Sequence, residues 1–157
     1  MVTEISVGSP LMFVSVNDVI VELQKKKVIN SNQFSNLIKE IINIKIRIIS
    51  PTITEDFLPE QERDFGLVAR EDTELSHVML EDGPVSIESE YEEALALPGI
   101  IKQVVIAESE GMDAVIINCA SDPGIDAARE VASIPVIGPA QAAFSLSTML
   151  AQKFSVI

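Results

Sequence analysis

The single cysteine of this 157-residue chain, Cys119, is the side chain best suited to chemistry. It follows the apolar run Ala114–Asn118 and lies three residues before Asp122-Pro123, a pairing that signals a helix start. Where a strand turns into a helix, unpaired N–H groups and the positive helix end would favour a thiolate able to take up a proton. Asp122 would oppose this if its carboxylate came close. A lone cysteine in a cytosolic domain is most often a small buried hydrophobe. With Asn118, Ser121 and Asp122 as neighbours, both readings stand.

The elements that would position this thiol follow from the apolar pattern. Short runs rich in Ile and Val, namely Ile46–Ile49, His77–Leu80, Ala114–Asn118, Pro135–Ile137 and Phe154–Ile157, have the character of strands buried on both faces. Between them lie amphipathic stretches at Ile100–Glu110 and Pro123–Val131, and a third at Ala140–Ala151 that is apolar nearly all round and expected to be well buried. The segment Thr52–Thr73 is acidic and carries Pro59 and Gly66, which predicts a short or broken helix. Alternation of strand and helix predicts an α/β fold, a parallel sheet flanked by helices.

Four strand exits carry a proline: Ser50-Pro51, Gly83-Pro84, Asp122-Pro123 and Gly138-Pro139. A parallel sheet gathers them at its carboxyl edge, where open α/β folds bind ligands. Helix N-termini at that edge suit a small carboxylate or a developing oxyanion. The bland alternative is that Pro and Gly merely punctuate the loops.

Composition excludes several functions. Eleven basic against twenty-four acidic residues give a formal charge of −13, which argues against nucleic acid and against an anionic membrane surface. With one cysteine no internal disulfide and no Cys-rich zinc site can form, and a reduced, cytoplasmic setting is expected. There is no metal-ligand spacing and no phosphate-binding glycine loop. His77 reads as a strand or edge residue, and Glu88, Glu90, Glu92 and Glu93 as the acidic start of a helix, with Glu88 an alternative support for a ligand loop. Residues 1–45 carry a net +1 and the remainder −14. This shift places a boundary near Ile44, with residues 1–44 an N-terminal extension, helical or partly disordered. The stretch Leu11–Leu23 is too short and polar to span a bilayer, and its lysines follow the apolar run where a signal peptide would have them precede it.

Residues 46–157 resemble the first half of the hydantoin racemase branch of the aspartate/glutamate racemase superfamily. The resemblance rests on Ile46-Arg47-Ile48-Ile49-Ser50-Pro51-Thr52, on Gly83-Pro84-Val85-Ser86-Ile87-Glu88-Ser89-Glu90-Tyr91, and on Gly111-Met112-Asp113-Ala114-Val115-Ile116-Ile117-Asn118-Cys119. It continues through Asp122-Pro123-Gly124, Ala127-Ala128-Arg129 and Ile134-Pro135-Val136-Ile137-Gly138-Pro139. It implies a flavodoxin-like or Rossmann-like half-domain and a racemase that needs no cofactor. The substrate would be a small molecule, an amino acid or hydantoin, that loses a proton beside a carbonyl. Such enzymes use two cysteines on opposite faces of the substrate, and Cys119 matches the first. Pro51, Thr52, Asn118, Ala120, Ser121, Gly138 and Pro139 match the surrounding loops, with Thr52 and Asn118 as the side chains expected to hydrogen-bond.

The chain departs from that pattern in having no second cysteine and no second half. Three outcomes follow: an inactive truncated form, a cleft completed by another copy or by a separately encoded second half, or single-thiol chemistry of the decarboxylase type. A non-catalytic binding module using the same pocket is the competing class.

Overall fold

The computed structural model describes Val2–Ile5, Met12–Ser15, Asn30, Asn32 and residues 43–156. The chain divides into two compact units, Met1–Asn43 and Ile44–Ile157. In the first, strands β1 (Val2–Ile5) and β2 (Met12–Ser15) pair antiparallel, Val2 opposite Ser15 and Ile5 opposite Met12. Sequence reasoning expected helix or disorder here; the β-branched and aromatic residues of these two tetrapeptides favour strand. The remainder of that expectation lies outside the described residues.

The second unit runs β3 (Ile44–Ser50), α1 (Leu58–Val68), β4 (Thr73–Met79), α2 (Glu90–Ser109), β5 (Ala114–Ile117), α3 (Ile125–Val131), β6 (Val136–Ile137) and α4 (Pro139–Leu150). Its four strands lie in the order β4-β3-β5-β6, all parallel. The parallel α/β fold read from the sequence is therefore the fold of this unit. Ile49 lies opposite Val78 on one side and Ile117 on the other.

Alternation along β3 sends residues to opposite faces. Ile49, with Val115 and Ile117 of β5, packs against Ala96, Ile100, Val104 and Ala107 of α2 and against Ile125 and Ala128 of α3. Ile48 is fully buried, and Ser50 donates a hydrogen bond to Gln61 of α1 at 2.6 Å. Arg47 is buried and pairs with Glu110, just past the end of α2.

Several boundaries differ from the sequence reading, each for a physical reason. Helix α1 is unbroken: Pro59 sits in its first turn, where a missing N–H costs nothing, and Gly66 is tolerated inside it. Helix α2 begins ten residues before the expected Ile100 and runs through Pro98. Glu92 secures that start, accepting hydrogen bonds from the Glu88 N–H and the Ser89 hydroxyl, which together hold its carboxyl below the usual range. No residue of α4 is buried, against the expectation that it would be. Phe154–Val156 form no strand, because no neighbouring strand pairs with them; Phe154 instead stacks on Phe144, ring centroids 6.0 Å apart.

His77 lies on the outermost strand, β4, with its ring edge-on to Phe65 of α1 at 5.7 Å. Burial pushes its pKa below the ordinary value, with Glu62 opposing weakly, and its Nδ1 is buried without a hydrogen-bond partner. The fold therefore favours neutral imidazole. The resulting stability is complete above pH about 6.5 and is lost as pH falls through the lower folded-state pKa. Urea midpoints measured from pH 7.5 down to 5 should fall more steeply for the parent than for His77→Phe; parallel slopes would contradict this.

Candidate active site

Strand β5 ends at Ile117, and the chain then turns sharply. The Asn118 N–H donates to the Ile49 carbonyl at 2.8 Å, keeping the exit of β5 beside β3. The Cys119 N–H donates to the Ile117 carbonyl and the Asp122 N–H to the Cys119 carbonyl, so Cys119 occupies a closed turn at the carboxyl edge of the sheet. The thiol is half-buried, with Sγ 3.4 Å from the Ser121 hydroxyl.

Two other loops meet this turn. The Thr52 carbonyl accepts from the Leu80 N–H and the Ile53 N–H donates to the Pro84 carbonyl, both at 3.0 Å. These bonds stitch the loop after β3 to the loop after β4. Between the loops and the turn lies a cavity of about 150 Å³. Ser50, Pro51 and Thr52 form one wall, Val85, Ser86 and Ile87 another, and Asn118 and Cys119 the floor of the turn. Thr54, Phe57 and Gln61 close the side toward α1. A second, more open hollow of about 430 Å³ has Cys119, Ala120 and Ser121 on one side and Ile87, Glu88, Ser89, Glu90 and Glu93 on the other. Cys119 belongs to both. A third hollow, about 440 Å³ and lined by Glu81, Asp82, Pro98 and Lys102 among others, contains no thiol.

Of the loop residues expected around a ligand, Pro51, Thr52 and Asn118 line the smaller cavity and Ala120 and Ser121 the larger. Gly138 and Pro139 line neither; they belong to a helix cap. Asp122 was expected to cap a helix starting at Pro123, but α3 starts at Ile125, after Gly124 in the left-handed region. The Asp122 carboxylate accepts instead from the first N–H groups of α4, Ala140 at 3.0 Å and Gln141 at 2.7 Å. It thus satisfies donors of α4 that the sequence reading left free for a ligand. Gly138 permits the approach, since a Cβ there would lie 2.4 Å from the Asp122 Cγ.

Sequence reasoning missed Phe57, Gln61 and Val85–Ile87 as cavity residues. The signal lay in Gly83-Pro84, which brings the loop after β4 back over the exit of β3. Glu88 does hold that loop, accepting from the Ser86 hydroxyl.

Asp122→Ala should destabilise the domain by about 1–3 kcal/mol, through two charge-assisted cap bonds and a left-handed backbone that alanine resists. Gly138→Ala should reproduce part of that loss by expelling the carboxylate. Chemical denaturation measures both, and an unchanged Asp122→Ala variant would refute the cap.

The model of the family described as Asp/Glu/Hydantoin racemase matches residues 46–157. The chain belongs to this racemase family. It is 43% identical to a hydantoin racemase of Pseudomonas sp. (strain NS671) over 114 residues, 73% of this chain and 46% of that protein. It is 38% identical to the hydantoin racemase of Rhizobium meliloti over 112 residues, 71% of this chain and 46% of that one. Among solved structures, the allantoin racemase from Klebsiella pneumoniae superimposes with a TM-score of 0.65 at 36% identity, covering 68% of this chain and 43% of the other. The chain spans about half the length of the racemase relatives it matches. Among the described residues no helix is long and apolar enough to cross a membrane.

Proposed function

We propose that residues 46–157 are the thiol-bearing half of a racemase that works without a cofactor, moving a proton at a carbon next to a carbonyl in a hydantoin or amino-acid derivative. Cys119 serves as one of two thiol acid/bases. The observation that carries this reading is the placement of Cys119 at the carboxyl edge of the sheet, in a cavity walled by the loops after β3 and β4. Family membership supplies the reaction class.

A carbon acid of this kind needs a base within hydrogen-bond reach and donors for the enolate that forms. Cys119 Sγ takes the proton, and the C–H pair moves into the enolate. Thr52 and Asn118, both lining the cavity with Cys119, supply the polar contacts to the substrate. Returning a proton to the same face restores the starting enantiomer; inversion needs an acid on the opposite face. Residues 1–157 hold one cysteine, so the second thiol comes from outside them.

The two half-reactions separate in deuterium oxide. The chain alone should exchange the acidic hydrogen of one enantiomer of a 5-substituted hydantoin faster than buffer does, while leaving its handedness unchanged. Exchange at the buffer rate would leave a binding module as the better reading.

A further inference from the structure

The two hollows that share the Cys119 sulfur differ in charge. The smaller is lined by Ser, Pro, Thr, Phe, Gln, Val, Ile and Asn, and holds no acidic or basic side chain besides the thiol. The larger brings three carboxylates, Glu88, Glu90 and Glu93, to its lining. Among the described residues no Lys, Arg or His lines either one. A substrate bearing a carboxylate would meet three like charges at the wider opening.

One nearby feature works the other way. The N-terminus of α2 contributes roughly half a positive charge, but its first turn already holds Glu90, Glu92 and Glu93, and Glu92 accepts from the Glu88 N–H just before the helix. Three formal negative charges against half a positive one leave the outer side of the thiol negative.

We infer that Glu88, Glu90 and Glu93 are specificity determinants, an electrostatic filter that admits neutral or cationic substituents to Cys119 and turns away anionic ones. Within the proposed racemase chemistry, on which this inference rests, the filter favours hydantoins whose 5-substituent is neutral or cationic over those whose substituent carries a carboxylate. The carboxylates lie on the rim and touch no reacting atom; their effect is on encounter and binding.

Two alkylating agents of nearly equal size test the filter without any racemase assay. In both reactions the sulfur forms a bond to the methylene carbon as iodide leaves; iodoacetate is anionic and iodoacetamide neutral. Each rate with Cys119 is divided by the rate with a free-cysteine peptide under the same conditions. At about 0.01 M ionic strength, where screening extends over about 30 Å, the iodoacetate quotient should be about three- to tenfold below the iodoacetamide quotient. The gap should close near 1 M salt and narrow in Glu90→Gln/Glu93→Gln. Equal quotients at low salt, or a gap indifferent to the double substitution, overturn the filter. A slow thiol that still discriminates would count against the catalytic reading alone, and a fast thiol that does not discriminate against the filter alone. If neither agent reacts, binding of 5-methylhydantoin and hydantoin-5-acetic acid is compared by NMR shifts. Preference for the neutral compound supports the inference; equal binding, preference for the acid or no binding of either overturns it.

Discussion

Cys119→Ala is expected to reduce exchange of the substrate's acidic hydrogen by about 10²- to 10⁴-fold, the range a positioned general base contributes. Cys119→Ser should fare little better, because a hydroxyl is a far weaker acid than a thiol and supplies almost no anion near neutral pH. The loss should come without unfolding. Cys119 is half-buried, outside the fully buried cluster under α2, and its turn is closed by backbone bonds that either substitution retains. The measurement is hydrogen–deuterium exchange of a 5-substituted hydantoin followed by NMR, with circular dichroism as the control for folding. Retained exchange in a folded Cys119→Ala protein would remove the thiol from the mechanism.

Ile49→Ala should have the largest effect on stability, about 3–4 kcal/mol. Ile49 is fully buried on a central strand, between Val78 and Ile117 and beneath α2. Deleting a buried Ile side chain costs its transfer free energy and leaves a cavity that close-packed neighbours only partly fill. Against a total of about 5–15 kcal/mol for a domain, that is a large fraction. Ile49→Val should cost only about 0.5–1.5 kcal/mol. Leu150→Ala, in a residue 86% exposed, should change stability by less than about 0.5 kcal/mol although it removes a similar number of apolar carbons. Urea denaturation of the three variants gives the comparison. A Leu150→Ala loss as large as that of Ile49→Ala would mean that α4 is covered in solution.

The pair also shows what the sequence could convey. Ile46–Ile49 and Ala114–Asn118 read correctly as central strands because a run buried on both faces has little room for polar residues. The edge strand β4 was legible only in its second half; Thr73, Glu74 and Ser76 dilute the apolar signal where one side meets solvent. Pro98-Gly99 hid the first ten residues of α2, since a proline within a helix looks locally like its boundary. Helix α4 and Phe154–Val156 mark a different limit. Hydrophobicity states what would gain from burial, and it does not say whether a covering layer is present.

At the site, Pro51, Thr52, Asn118, Ala120 and Ser121 were placeable because strand exits of a parallel sheet share one edge. The role of Asp122 was not. Its local signal, Asp before Pro, fits a helix start, but the left-handed turn at Asp122 and the bare backbone of Gly138 let it reach N–H groups 18 and 19 residues further along. That choice depends on the packing of β5 against β6, which no local pattern encodes.

The Asp122 cap also joins two parts of the fold that are distant in sequence. Its carboxylate grips the first turn of α4, while its N–H holds the Cys119 carbonyl. One residue thus ties the start of α4 to the loop that carries the sulfur, and a substitution that shifts the first turn of this helix would be felt at Cys119.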